Sequence, residues 1–250
     1  MDTIDCYDDA DESADRDDEA DGYYDKGQTF VVEGKYKAAL LCVSKAIELR
    51  APGDAYDYYG RGAVYYKLEN YMEAVRDITK AIELRDEEYA HDYYGRGKAY
   101  VELEKFDEAI GDLTKAIEIC SAPANWFEMT EDCADAYNER GITYFRIGKY
   151  NDAINDLTHA INMRTEANLY DYIARGIAYL ENRNYGKAIS DLTKVMTLRI
   201  EENHMDYHLR AVANFRGGNR NAALCDVDKA LRLNPNSKES KALRRQITSS

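Results

Sequence analysis

The sequence predicts an all-α protein, built as a solenoid of six antiparallel helical hairpins that ends in a closing helix. Three observations support this prediction: a motif that recurs along the chain, a small residue that recurs at one phase of it, and apolar residues at helical spacing. A single hairpin of this kind cannot bury its own apolar side. Neighbouring copies must therefore stack, and the stack leaves an extended surface.

The motif is clearest in two stretches, Tyr58–Tyr65 and Tyr93–Tyr100, which read YYGRGAVY and YYGRGKAY. A small residue after the basic one anchors each copy. The anchors are Gly27, Gly62, Gly97, Gly141, Gly176 and Ala211. They lie 35, 35, 44, 35 and 35 residues apart, so nine extra residues separate the third copy from the fourth. We predict six repeats of 35 residues with an insertion near residues 125–133.

Each repeat contains two blocks of apolar and small residues at helical spacing, parted by a short polar turn such as Leu68-Glu69-Asn70. An alanine follows every anchor by twelve residues: Ala39, Ala74, Ala109, Ala153, Ala188 and Ala223. Glycine inside a helix costs about 1 kcal/mol relative to alanine, so five glycine anchors at one phase indicate close contact between two helices. We expect Gly62 to face Ala74.

An arginine precedes five of the anchors, and an aspartate follows that arginine by sixteen residues. The pairs are Arg61–Asp77, Arg96–Asp112, Arg140–Asp156, Arg175–Asp191 and Arg210–Asp226. In the first repeat both positions change together, to Lys26 and Cys42. We predict a structural Arg–Asp pair that ties the first helix to the second, within a repeat or across neighbours, rather than a ligand-binding arginine.

A second pairing is expected within the first helix of four repeats. An aspartate precedes the arginine by four residues, the spacing of one helical turn, at Asp57, Asp92, Asp171 and Asp206.

This pattern of tyrosine, Arg-Gly, tyrosine and two alanines resembles the tetratricopeptide repeat family from residue 20 to about 235. The sequence departs from the family pattern in its period, which is 35 residues, and in the arginine that replaces the usual leucine. The closing proline survives only at Pro235. The resemblance implies a right-handed superhelix, with the first helix of each repeat on the concave face, and a role in binding proteins or peptides.

We divide the chain into an acidic N-terminal tail (1–19), the repeats (20–235), and a closing helix with a short tail (236–250). Residues 1–21 hold eleven acidic residues and one basic residue, so they carry most of the net charge of −14. A segment this acidic is not expected to fold alone. The closing helix carries Leu243 and Ile247 on one face and basic residues on the other.

The acidic balance and the lack of a basic stripe argue against a nucleic-acid partner. No apolar run is long enough to span a membrane, and the N-terminus lacks a secretory pattern, so we predict a cytoplasmic protein. Five cysteines without a C-x-x-C motif indicate reduced thiols, although Cys120 and Cys133 flank the insertion and could approach each other. We predict no bound calcium, since Asp17–Gly22 begins like a calcium loop but lacks its closing glutamate, and no cofactor, since the sequence has no Gly-rich phosphate loop. We also predict no metal, since the histidines lack partner ligands.

The resemblance implies which positions face inward, and these form two candidate binding regions. The second and third repeats offer Tyr56, Tyr59, Tyr66, His91, Tyr94 and Lys98. The fourth to sixth repeats offer Ile142, Phe145, Ile173, Ile177, Leu180, Val212 and Phe215. From these we select Phe145 and Ile177, together with all six residues of the first region. Trp126, in the insertion, either contacts a partner as well or folds back over the edge of the repeats.

Two glycines in the first region, Gly60 and Gly95, lie two residues before their anchors. One hypothesis is a bare hollow between tyrosines that receives the backbone or an inserted side chain of a partner. The alternative is that the glycines only tighten helix packing.

We therefore predict a non-enzymatic interaction scaffold that binds a peptide or a helix in an aromatic and aliphatic groove. No set of residues combines a nucleophile, a base and an orienting group, which argues against an enzyme. Two alternatives stay open at this point: a structural solenoid that assembles with itself, and a regulatory subunit of a separate enzyme.

Overall fold

The computed structural model describes residues 8–121 and 130–249. In these two ranges the chain forms helices and turns and contains no strand, which confirms the predicted all-α class. None of the helices in the described ranges combines the length and the apolar character that a membrane crossing needs. The helices divide into two compact units, Met1–Ile119 and Cys120–Ser250.

The first unit is built from six helices in chain order. They are α1 (Asp8–Val32), α2 (Tyr36–Leu49), α3 (Ala55–Lys67), α4 (Tyr71–Leu84), α5 (Ala90–Glu102) and α6 (Phe106–Cys120). The two helices of a repeat pack on each other, as in α1 with α2, and each second helix also packs on the first helix of the next repeat, as in α2 with α3. Helix α1 includes residues 8–19 of the predicted acidic tail.

The second unit contains the remaining seven helices. They are α7 (Thr130–Arg146), α8 (Tyr150–Met163), α9 (Leu169–Glu181), α10 (Tyr185–Leu198), α11 (His204–Arg216), α12 (Arg220–Leu233) and α13 (Lys238–Ser249). Each helix packs on the next one in the chain. The predicted closing helix is α13, which buries Leu243 and Ile247 against Ala211, Ala223 and Val227.

The cysteines differ from the expectation of reduced thiols. Cys120 and Cys133 form a disulfide with their Cα atoms 5.8 Å apart. Cys42 and Cys225 remain thiols.

The glycine anchors lie where two helices of a repeat come closest, as the sequence predicts. A methyl group placed on Gly62 would lie 2.7 Å from Ile78 Cγ1 and 3.3 Å from the carbonyl oxygen of Ala74. Ala74 itself is fully buried. An added methyl group at Gly62 would therefore force Ile78 or the second helix to shift.

All five predicted Arg–Asp pairs form, and each joins the first helix of a repeat to its second. In the pair of α5 and α6, Arg96 Nε and Nη2 donate to the two carboxylate oxygens of Asp112 at 2.7 and 2.8 Å. The five aspartates are at most 9% exposed. The third nitrogen of Arg96 donates to Thr79 Oγ1 of the preceding repeat at 3.1 Å. The same arginine therefore also ties neighbouring repeats together, which supports a structural role.

The expected local pairing of the second set of aspartates is wrong. Asp57, Asp92, Asp171 and Asp206 instead accept from an arginine seven residues earlier, at the end of the preceding repeat. These arginines are Arg50, Arg85, Arg164 and Arg199. The four aspartates are at most 3% exposed, so each needs a charged donor. The arginine four residues later binds the aspartate on the second helix instead.

This second pair has a signature in the sequence. In the fourth repeat, the equivalent positions are Met129 and Ala136, so the arginine and the aspartate are lost together. Burial raises the pKa of Asp57, and the hydrogen bond from Arg50 opposes that change. The second pair joins successive repeats, whereas the first joins the two helices of one repeat.

A polar contact accompanies the apolar packing of the closing helix. His208 Nδ1 in α11 lies 3.1 Å from Ser240 Oγ in α13. Burial lowers the pKa of His208 below its ordinary value; the charge of His204 acts in the same direction, and the carboxylate of Glu239 acts against it.

We expect Arg96→Met to lower the free energy of unfolding by about 3–5 kcal/mol, because it leaves the buried Asp112 without its donor. The measurement is chemical denaturation followed by circular dichroism. The matched control is Arg76→Met, since Arg76 pairs with Glu73 on an exposed surface, and such pairs contribute about 1 kcal/mol or less. Equal effects of the two substitutions would contradict the structural role of the buried pair.

Two glycine substitutions are expected to act in opposite directions. Gly62→Ala should destabilise by roughly 1 kcal/mol, because overpacking against Ile78 costs about 1–3 kcal/mol and exceeds the gain in helix propensity. Gly111→Ala should stabilise by about 1 kcal/mol, because Gly111 is an exposed residue of α6 with no atom within 4 Å of an added methyl group. Thermal unfolding of both variants checks the signs, and a stabilised Gly62→Ala protein would refute the close contact.

Stability should decrease on acidification through His208. Its pKa is lower in the folded protein than in the unfolded chain, so the unfolded chain binds the proton first. Neutral His208 therefore makes its full contribution to the free energy of unfolding above the unfolded pKa of about 6.5. That contribution is lost as the pH falls through and below this value. Melting temperatures between pH 8 and pH 5.5 test this. The loss should be smaller in His208→Gln, and an identical loss in both proteins would show that other groups cause it.

Candidate functional site

Two neighbouring first helices, α3 and α5, form a cavity in the first unit. Its volume is about 190 Å³. Residues of α3 and α5 line it at the spacing of one helix face, and one residue of α4 closes it from below. The lining residues are Tyr59, Ala63, Tyr66, Lys67, Ile78, His91, Tyr94, Gly95 and Lys98. Five of the predicted binding residues therefore lie together: Tyr59, Tyr66, His91, Tyr94 and Lys98.

Aromatic rings form the walls of this cavity. The ring of His91 lies 5.0 Å from that of Tyr59 and 6.4 Å from that of Tyr94, measured between centroids, and is tilted against both. These contacts hold the rings against one another, so they lose little freedom when a ligand binds.

Lys98 supplies a positive charge at the cavity. Its Nζ lies 5.1 Å from the ring centroid of Tyr66 and 5.2 Å from that of Tyr94. Neither Lys98 nor Lys67 forms an ion pair with a carboxylate in the described ranges. The cavity thus combines apolar ring faces with a cation that is held by cation–π contacts.

The hypothesis of a bare hollow is wrong at Gly60. A methyl group on Gly60 would lie 2.8 Å from the ring of Tyr24 in α1, and Gly60 is buried under that ring. Burial also raises the pKa of Tyr24. The space left by this glycine is therefore filled from within the protein, and the alternative of tighter packing holds here.

At Gly95 both hypotheses hold in part, since the glycine allows tight packing and also borders an open space. The ring of Tyr59 lies over it, 3.2 Å from the position of an added methyl group, yet Gly95 remains on the wall of the cavity. The sequence carries a signal for this contact. In the repeat that precedes each of these glycines, a tyrosine stands three residues before the anchor. It is Tyr24 for Gly60 and Tyr59 for Gly95.

The other predicted binding residues lie elsewhere. Tyr56 is exposed and does not line the cavity. The Cζ atom of Arg85 lies 4.5 Å from the centroid of the Tyr56 ring. Phe145 and Ile177 belong to the second unit and are half-buried. Phe145 packs on the core of Ala153, Leu157 and Ala178. Trp126 lies outside the described residues.

Sequence reasoning missed two lining residues. Lys67 follows Tyr59 and Ala63 at helical spacing and was detectable from that periodicity. Ile78 comes from the second helix of the repeat, and only the first helices were considered as sources of the surface. Its side chain reaches the cavity because Gly95 leaves room, with Ile78 Cδ1 3.5 Å from an added methyl group.

Comparison with known proteins gives the family. Three family models, each described as tetratricopeptide repeat, match residues 55–87, 93–123 and 133–169. No curated protein sequence matches the chain.

Several solved structures are similar in fold. PilF from Pseudomonas aeruginosa superposes with a TM-score of 0.74 at 17% identity, over 92% of this chain and 99% of that one. MamA from Desulfovibrio magneticus RS-1 gives 0.62 at 20% identity, over 72% and 95%. YrrB, described as a TPR protein with an unusual peptide-binding site, gives 0.55 at 23% identity, over 72% and 86%.

At these identities the likeness to solved structures shows a shared fold. The sequence matches fall on helix pairs that pack as the repeats predict, and the chain belongs to the tetratricopeptide repeat family.

Proposed function

We propose that this protein is a non-enzymatic interaction scaffold that binds a peptide or a helix of another protein on the face formed by α3 and α5. One observation carries the proposal. Five of the nine residues that the sequence selects as binding residues, four with rings and one cation, line one cavity. A surface of this kind, with tyrosines around a pocket, is typical of sites where one side chain of a partner anchors the complex.

The size of the cavity favours a side chain over a whole small molecule. Sites for drug-sized ligands occupy roughly 300–1,000 Å³, and this cavity is smaller, at about 190 Å³. An extended peptide or an amphipathic helix would place one large side chain in the cavity and run along the helices on either side. A solved member of the family with a described peptide-binding site, YrrB, shares the fold and supports this reading.

The contacts of the titratable residues also support binding rather than catalysis. His91 lies against tyrosine rings, and Lys98 lies over two ring faces. Catalysis by either residue would need an acid, a base or a nucleophile at hydrogen-bond distance to activate it. We propose the remaining candidates, Tyr56, Phe145, Ile177 and Trp126, as additional partner contacts outside the cavity.

The compartment follows from the cysteines. The sequence predicts a cytoplasmic location and reduced thiols, whereas Cys120 and Cys133 are paired in the structure. Stable disulfides form in oxidising compartments and are rare in the cytosol. The pair therefore favours an oxidising compartment over the cytoplasm.

Affinity selection from a library of random twelve-residue peptides on the full chain tests the function. We expect selected peptides to lose at least tenfold in affinity for Tyr66→Ala, because removal of one anchoring ring costs about 1.4 kcal/mol or more. Tyr170→Ala is the matched control, since Tyr170 is an exposed tyrosine of the second unit. Circular dichroism verifies that both variants keep their helices. Peptides that bind both variants and the unaltered protein alike would exclude the cavity as the site.

A further inference from the structure

The occupant of the cavity can be inferred from charge and from the sequence. We propose that the cavity between α3 and α5 receives the N-terminal segment of a second copy of this chain, with the side chain of Tyr7 inside it. Asp5, Asp8 and Asp9 would then lie beside Lys67 and Lys98. This inference rests on the proposed function and names the partner that the site binds.

Charge complementarity is the first argument. Lys98 is held over two tyrosine rings, and neither it nor Lys67 has a carboxylate partner among the described residues. The first 21 residues hold eleven acidic residues and one basic residue. Complementary charges on two molecules favour their encounter and fix the register of their contact.

The second argument is the position of one aromatic residue within that acidic segment. Tyr7 is the only aromatic residue before Tyr23, and carboxylates lie two residues before it and at both positions after it. A cavity of about 190 Å³ with ring walls and a lysine suits one such side chain with acidic neighbours. A tyrosine in the cavity would meet the rings of Tyr59, Tyr94 and His91, and the flanking carboxylates would meet the cation.

The length of α1 favours a segment from another molecule. Helix α1 runs from Asp8, and its Tyr24 packs on Gly60 of α3, next to the Tyr59 wall of the cavity. Sixteen residues of helix separate Asp8 from Tyr24, a rise of about 24 Å along the axis. Asp8 therefore lies about 24 Å along the α1 axis from Tyr24, and we place the segment that precedes it in the cavity of a neighbouring molecule.

Such a contact joins two different surfaces, a segment of one molecule and a cavity of the next. It closes into a dimer if two molecules exchange segments, and otherwise it propagates into a chain. Either outcome makes the mass of the particle depend on concentration.

Sedimentation velocity of the full chain at concentrations from 1 to 100 µM, chosen as about the range of ordinary protein self-association, tests the inference. We expect the unaltered protein to associate, and Tyr7→Ala and Lys98→Gln each to weaken the association at least tenfold. Lys187→Gln is the matched control, because Lys187 also lies over a tyrosine ring, 5.3 Å from the centroid of Tyr179, but outside the cavity. We expect it to associate like the unaltered protein.

A fluorescently labelled peptide of residues 1–12 supplies a second measurement, made with the full chain at its lowest, monomeric concentration. It should bind the unaltered protein and Lys187→Gln, and bind Lys98→Gln at least tenfold more weakly. A peptide with Tyr7→Ala should lose affinity by a similar factor.

Two results would overturn the inference. One is a protein that stays monomeric and does not bind the peptide. The other is association that Tyr7→Ala and Lys98→Gln leave unchanged. In either case, library peptides that still depend on Tyr66 would show that the scaffold function stands and that its partner is a different protein.

Discussion

In five of the six repeats, a buried arginine–aspartate pair fixes which side of the first helix faces the protein. In α3, Arg61 binds Asp77 of α4 through two hydrogen bonds of 2.6 and 2.9 Å. Successive residues of a helix turn by about 100°, so Tyr59, Ala63 and Tyr66 lie on the side opposite to Arg61. By the same rotation, Tyr94 and Lys98 lie on the side of α5 opposite to Arg96. The pair that holds a repeat together therefore also decides which residues are left to form the cavity.

The second set of pairs extends this constraint from one repeat to the next. Each of its arginines ends a second helix and binds a buried aspartate at the start of the following first helix. Three of these arginines also contact the first helix of the preceding repeat, at the position six residues before its anchor. Arg50 and Arg164 form ion pairs with Asp21 and Asp135, and Arg85 lies over the ring of Tyr56. A charge buried at each of these four junctions cannot be left unpaired without large cost, so the two repeats on either side of each one stack in one register rather than sliding.

The sequence predicts those parts of the structure in which two positions change together. The glycine anchors and the first set of Arg–Asp pairs recur at a fixed spacing, and the first repeat alters both members of the pair at once, to Lys26 and Cys42. The second set of pairs leaves the same kind of trace at Met129 and Ala136. It was missed because the spacing of Asp57 to Arg61 suggested a local partner. Arg61 instead donates through Nε and Nη2 to Asp77 on the second helix.

The cavity itself could be predicted only in part, because its shape depends on side-chain directions that periodicity does not encode. Tyr24 and Tyr59 occupy the same position of successive repeats, and both lie over a glycine of the next repeat. Beside Tyr59, however, the next inward position of α3 is the small Ala63, and Ile78 closes the space from below. The equivalent position in α1 is Gln28, which carries a longer side chain. An open cavity between α3 and α5 thus requires a small residue at Ala63 together with Gly95, and a large side chain at either position would close it while leaving the Arg–Asp pairs intact.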